Sequence, residues 1–305
     1  MIKKVELHLH LDGSVKEETA NKILNQKCDL KAKDKCNDLN EYLEKFEIPS
    51  IILQTKENLK LVAYELANDL KKDNVIYAEI RFAPLKHIKE GLSLDEVINS
   101  VLEGLSKVDI KTNLILCMMR GDSIEDNKKV IDLAHKYSCA IDLAGAEAVF
   151  KTSLYEELFK YAKSLNVPFT IHAGEADGYD SIKDAINFGA TRLGHGIKII
   201  DYPDLIELAK EKNITLEICP TSNVQTNAIN EYKDHPIKKL YDMGVKVCIN
   251  TDNRTVSNIT LEEEYQKLKD AFNFSDEDFM NMNINAINAS FTNDKEILIK
   301  QLRGE

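Results

Sequence analysis

The chain has 305 residues, 43% of them hydrophobic and 30% charged, and its acidic side chains outnumber the basic ones for a formal net charge of −11. That composition is globular and excludes a disordered or collagenous chain. The acidic balance speaks against a protein that neutralises a nucleic-acid backbone and points to a small-molecule substrate.

In chain order, MIKKVELHLHLDG opens with two lysines but no apolar stretch of signal-peptide length. Its run Val5–Leu11 is read as strand one. Residues 14 to 74 separate it from strand two, Val75–Phe82, by far more than one helix needs, and EYLEKFEIPSIILQTKENLKLVAYELANDLKK reads as additional helices. In a barrel such an insertion falls at the C-terminal mouth, where substrate enters. Beyond strand two, LDEVINSVLEGLSKV predicts a helix by its apolar spacing of three and four, and Asn113–Met119 a third strand. The alternation continues with NKKVIDLAHKYS, strand Ala140–Gly145, LYEELFKYAKSLN, strand Val167–His172, IKDAINFG and the short, polar strand Arg192–His195. LIELAKEKN, strand Ile214–Cys219, IKKLYDMG and strand Val245–Thr251 complete it. LEEEYQKLKDAF and SDEDFMNMNINAINASF read as closing helices, the second with Ser275 as N-cap. Eight strands alternating with helices imply an α/β fold, a (β/α)₈ TIM barrel with extra helices after strand one and at the C-terminus. No Pro-, Gly- or Ser-rich linker and no repeat interrupts it, so residues 1–305 are expected to form a single domain.

No run approaches the roughly 18 apolar residues of a membrane span. The six cysteines form no CxxC pair and sit mostly in apolar runs, as small buried hydrophobes do in a reduced compartment. A cytoplasmic location is expected, with no membrane or nucleic-acid partner and no protein partner inferable.

His8 and His10 lie two apart in strand one, so both side chains share a face, as two ligands of one metal must. His172 ends strand five in TIHAGE, His195 ends strand six in LGHG, and Asp252 ends strand eight in INTDN. A lone HxH pair is weak evidence, and a lone histidine is more often structural. Here four of the seven histidines and an aspartate are expected at one barrel mouth, which points to metal-assisted chemistry. His8, His10 and His172 would supply three nitrogens and Asp252 one oxygen, a set that suits one Zn²⁺ per chain and leaves room for water. The fourth strand's IDLAGAE offers no lysine to bridge two ions. Glu175, three residues beyond His172, is placed to deliver a proton to a substrate nitrogen, its alternative being to hold His172. His195 is placed to orient or deprotonate the attacking water, and orientation is favoured.

The motifs VELHLHLDGS, YAEIRFAP, AIDLAGAE, TIHAGE, RLGHG, LEICPTSN and INTDN, in this order, resemble those of adenosine deaminases, from residue 5 to about residue 291. The resemblance implies a metallo-dependent hydrolase barrel that deaminates adenosine and 2′-deoxyadenosine to inosine and 2′-deoxyinosine plus ammonia. It implies His8, His10, His172 and Asp252 as zinc ligands, Glu175 as proton donor to purine N1, and His195 with Asp252 as the groups acting on the hydrolytic water. It also implies His10 and Asp12 at the substrate, Asp12 meeting the ribose 5′-hydroxyl. The Gly145 N–H would reach purine N3, where a side chain would obstruct the base.

One position departs from the family pattern. The usual second aspartate is Asn253 here, whose amide NH₂ can donate to purine N7 without an unusual protonation state. Other substrates in the same chemistry are adenine, an aminofutalosine-type purine or a methylthio-nucleoside, and a different class is a mononuclear amidohydrolase acting on an amide or ester. A metal-binding relic without activity would not need both Glu175 and His195. Cys219 in CPTS reads as structural, His235 as a brace for the helix before strand eight, and His87 as a surface-loop residue.

Overall fold

The structure, a computed structural model, describes residues 2–305. Eight strands run parallel: β1 (Lys4–His10), β2 (Val75–Phe82), β3 (Lys111–Met119), β4 (Ala140–Ala144), β5 (Ile171–Ala173), β6 (Arg192–His195), β7 (Thr215–Ile218) and β8 (Lys246–Ile249). They pair as two four-stranded sheets, β1-β2-β3-β4 and β5-β6-β7-β8. Single parallel bridges, Leu9 to Asp252 and Ile141 to Phe169, join the halves into a ring. Helices follow the strands, giving the (β/α)₈ barrel that the alternation predicts.

Alternation along β1 decides what the barrel holds. Val5, Leu7 and Leu9 join the apolar clusters beneath the helices, so Lys4, Glu6, His8 and His10 turn to the other face. The interior of this barrel is therefore charged. Arg192 donates through Nε to Glu217 Oε1 at 2.6 Å and through Nη1 to Glu79 Oε2 at 2.6 Å. Arg81 donates to Asp142 Oδ2 at 2.9 Å and to Glu217 Oε2 at 2.8 Å. All five side chains are fully buried. Such a network costs desolvation to build, and removing one member strands a charge at about 3–5 kcal/mol. It ties β2 and β4 of one half-sheet to β6 and β7 of the other.

Six of the eight strands differ in their bounds from the sequence reading, by one or two residues everywhere except at the start of β5. β5 begins at Ile171 and not at Val167, because Pro168 has no N–H for the ladder and Phe169 contributes one bridge only. β8 stops at Ile249, short of Thr251, because the chain turns toward β1: Asp252 N donates to His8 O at 3.0 Å and His10 N to Asp252 O at 2.8 Å.

The insertion after β1 folds as helices Glu17–Leu24, Leu39–Leu43, Glu47–Ile52 and Lys56–Lys72, and helices Leu261–Phe272, Asp276–Ala289 and Lys295–Arg303 close the chain. Ser275 caps the second of these, accepting from Asp278 N at 3.1 Å. Among the described residues no helix is long and apolar enough to cross a membrane, and all six cysteines are free thiols.

Candidate active site

The ends of β1 and β5 bring His8, His10 and His172 together, one nitrogen of each lying within 4.8 Å of the others. Asp252 Oδ1 stands 3.4 Å from His8 Nε2 and 3.4 Å from His10 Nε2. Two ligands about 2.05 Å from one tetrahedral ion stand about 3.3 Å apart, so this spacing suits a shared Zn²⁺. Burial, and then the positive charge of Arg81, pushes His8 down to about 4, and burial holds His10 well below its ordinary value. Both are neutral imidazoles, the state that binds a cation.

Orientation comes from two carboxylates absent from the sequence reading. His8 Nδ1 lies 2.8 Å from Glu217 Oε2, and His172 Nδ1 lies 2.8 Å from Asp142 Oδ2. Each leaves the opposite ring nitrogen for the centre, and His8 Nε2 is buried with no hydrogen-bond partner. An orphaned buried nitrogen aimed among other donors is what a metal ligand looks like without its ion. Burial raises Glu217 and Asp142, but the guanidiniums of Arg81 and Arg192 hold Glu217, and His172 with Arg81 hold Asp142, below the usual carboxylate range. A charged residue inside an apolar strand, as in IDLA and LEIC, is the signal that could have found them.

Backbone conformation sets the other two groups. His195 and Asp252 have φ of 61° and 62°. The left-handed region costs a residue with a Cβ about 1–2 kcal/mol. Most of the other non-glycine residues there are asparagines, such as Asn25 and Asn273 at helix C-termini. Asp252 is held by its two bonds to β1 and by Ser222 Oγ, which donates to Oδ2 at 2.6 Å. Gly194, beside His195, is bare for a packing reason: a Cβ there would lie 3.1 Å from His8 Cε1 and 3.2 Å from His172 Cα. Gly145 is required by its φ of +101° and not by crowding, since a Cβ would meet its nearest neighbours no closer than 3.4 Å.

The Glu175 carboxylate makes its contacts with Asn223, Thr226 and His195. Its Oε1 accepts from Asn223 Nδ2 at 3.2 Å and from Thr226 Oγ1 at 3.0 Å, while Oε2 lies 3.5 Å from His195 Nε2. Its loop is clamped by Glu147, which accepts the backbone N–H groups of Gly174, Glu175, Ala176 and Asp177 at 2.6–3.1 Å.

These groups face a cavity of about 260 Å³. His10, Asp12, Gly145, His172, Glu175, His195, Asp252 and Asn253 all line it, with His8 fully buried beneath. Leu39, Tyr42, Leu43 and Phe46 of the insertion cover it. Burial pushes Asp12 up to about 6. Asn253 Nδ2 donates to Tyr42 Oη at 3.0 Å, a partner the sequence did not disclose. His87, expected on a surface loop, is buried and lines the cavity, because the short helix Pro84–His87 folds its side chain inward toward Phe82. His235 accepts from Ile237 N and so braces the next helix as expected. Cys219 lies within reach of His8 and His195, but burial pushes its thiol well above the ordinary value, and it donates to Glu217 O.

The sequence pattern of the family described as adenosine deaminase matches residues 3–302. An adenosine deaminase of Clostridium acetobutylicum is 42% identical over 98% of this chain and 96% of that protein. One from Clostridium botulinum (strain Okra) is 44% identical over 97% and 95%. Among solved structures, an adenine deaminase from Arthrobacter aurescens superposes with a TM-score of 0.90 at 23% identity, over 100% of this chain and 99% of that one. A zinc-bound amidohydrolase from Burkholderia ambifaria gives a TM-score of 0.86 at 20% identity, over 100% and 93%. The last two show the same barrel. With the family pattern spanning nearly every residue and relatives this similar end to end, the chain belongs to the adenosine deaminase family.

Proposed function

We propose that this protein is a zinc-dependent hydrolase that converts adenosine and 2′-deoxyadenosine to inosine and 2′-deoxyinosine with release of ammonia, acting on the free nucleoside in the cytoplasm. The observation that carries the reading is the cavity itself: imidazoles and an aspartate spaced for one cation, beside the carboxylate edge of Glu175. The adenosine deaminases at 42% and 44% identity support it. Asp12 on the cavity wall supports a nucleoside over adenine, since a free base has no 5′-hydroxyl to meet it.

His8, His10, His172 and Asp252 would hold Zn²⁺, which when bound supplies the electrophilic pull that makes water nucleophilic at neutral pH. Glu175 takes a proton from the incoming water and gives it to purine N1 as the water oxygen bonds to C6. The product of that step carries both hydroxyl and amino groups on C6. Asp252 moves the hydroxyl proton to the amino nitrogen, the C–N bond breaks, and ammonia leaves behind the C6 carbonyl and the N1–H of inosine. His195 orients the attacking oxygen. Gly145 N–H fixes N3, Asn253 faces the N7 edge, and Leu39, Leu43 and Phe46 keep bulk water out.

Two variants test the assignment. Glu175→Gln is expected to purify with its zinc and to lose about 10²–10⁴-fold in turnover, because an amide cannot carry the proton. His10→Ala is expected to lose zinc and activity together. Near-wild-type deamination by Glu175→Gln, or a zinc-loaded protein that cleaves amides and leaves adenosine untouched, would overturn the reading.

A further inference from the structure

Behind the cavity a chain of hydrogen bonds runs from a backbone amide to the His195 ring. Ile237 N–H, which can only donate, lies 3.1 Å from His235 Nδ1, so that nitrogen carries no hydrogen. Burial pushes His235 down to about 3, which keeps its ring neutral with its one hydrogen on Nε2. His235 Nε2 stands 3.2 Å from Asn223 Oδ1 and donates to it. That contact fixes which way the amide faces, and its NH₂ meets His195 Nδ1 at 3.0 Å and Glu175 Oε1 at 3.2 Å. Turned round, the amide would set its NH₂ against the His235 N–H and its carbonyl oxygen against the Glu175 carboxylate, two repulsive contacts at a fully buried side chain. An NH₂ group has no lone pair to offer. His195 Nδ1 is therefore the acceptor, and the ring's hydrogen sits on Nε2, the nitrogen that faces Glu175 Oε2 across 3.5 Å.

We infer that Asn223 and His235 are positioning residues which lock His195 into its Nε2–H tautomer, so that His195 meets the attacking oxygen as a hydrogen-bond donor and cannot serve as its base. The inference rests on the deaminase reading for what the oxygen attacks, but the tautomer itself does not. It narrows the two roles open to a histidine at this place to one. Water's first proton then goes to the Glu175 carboxylate and its second to Asp252, and the His195 ring is the same before and after turnover. Two successive strand–helix units supply these side chains, since His195 ends β6, while Asn223, in the helix Pro220–Gln225, and His235, just before the helix Ile237–Asp242, both lie between β7 and β8.

The decisive measurement is the long-range ¹H–¹⁵N spectrum of the zinc-loaded full chain with ¹⁵N-labelled histidine, His195 being assigned by its loss in His195→Asn. A protonated Nε2 with a bare Nδ1 is the expected pattern, and a hydrogen on Nδ1 overturns the inference. In Asn223→Asp the carboxylate can only accept, so the hydrogen is expected on Nδ1, with kcat down by about 10²–10⁴-fold and KM little changed. His235→Ala touches neither Glu175 nor His195, frees the amide to turn, and is expected to give a mixture of tautomers with a smaller fall in kcat. An unchanged His195 pattern in both variants, or an inverted one with full kcat, refutes the role. Failure of the deaminase reading would appear differently, as the expected wild-type spectrum in a protein that leaves adenosine unchanged.

Discussion

The side chain of Asn253 fills the space where Gly13 lacks one: a Cβ on Gly13 would lie 1.9 Å from Asn253 Oδ1 and 2.7 Å from Asn253 Cβ. The glycine of HLDG and the amide after β8 are thus one packing unit, completed by Tyr42. Gly13→Ala is expected to destabilise the protein by about 1–3 kcal/mol, because backbone or Asn253 must move. Combined with Asn253→Ala, the loss should be well below the sum of the single losses. Urea denaturation of the four proteins checks this, and strict additivity would dissolve the pairing.

Asp142 is expected to govern how tightly the cation is held. Its Oδ2 serves both His172 Nδ1 and Arg81 Nη1. Replacing it by Asn removes the charge that raises the basicity of His172, and zinc affinity should fall about 10- to 100-fold. Competition with a chromophoric chelator reads this directly. An unaltered affinity would mean that Asp142 matters to the barrel interior and not to the ligand.

Glu147→Gln should loosen the loop that carries Glu175. The carboxylate accepts four backbone N–H groups with two oxygens, and an amide has one oxygen to offer. Hydrogen bonds to a charged group contribute about 1.5–3 kcal/mol each. Faster amide exchange at residues 174–177 is expected together with lower kcat and retained zinc. Unchanged exchange there would show that the loop holds itself.

A pH-dependent effect on stability should arise far from the reaction. Glu264 on the helix Leu261–Phe272 is buried, which pushes it up to about 7, while Tyr232 Oη donates to its Oε1 at 2.5 Å. Its folded value lies above the unfolded one, so between about 4.5 and 7 the native state binds more protons and stability falls as pH rises. This contribution is full below 4.5 and lost above 7. Glu264→Gln, which mimics the protonated acid, should be more stable than the parent at pH 8, by on the order of 2–3 kcal/mol, and equal to it near pH 4. Denaturant midpoints at the two values test it, and parallel curves would dismiss it.

Much of this site is legible in the sequence. His8, His10, His172, His195 and Asp252 stand at the ends of apolar runs, and a parallel barrel gathers strand ends at one rim, so sequence position predicts convergence. The very short β6 is readable for the same reason, its RLGH being bounded by glycine and a helix on either side. Glu217 and Asp142 escape because their partners lie on other strands; only the folded register shows Arg81 of β2 reaching β4 and β7. Tyr42 and His87 escape because they sit on short helices within the connections after β1 and β2, whose path across the barrel mouth no periodicity encodes. β5 starts late because a proline removed ladder donors from a run whose composition still reads as strand.

The twisted junctions at His195 and Asp252 set endurance against chemistry. Glycine would relax either one by roughly 1 kcal/mol, and asparagine by somewhat less, since both sit comfortably at positive φ. A random library screened only for surviving heat should therefore enrich replacements at these two codons, and the hardiest clones should be inert ones.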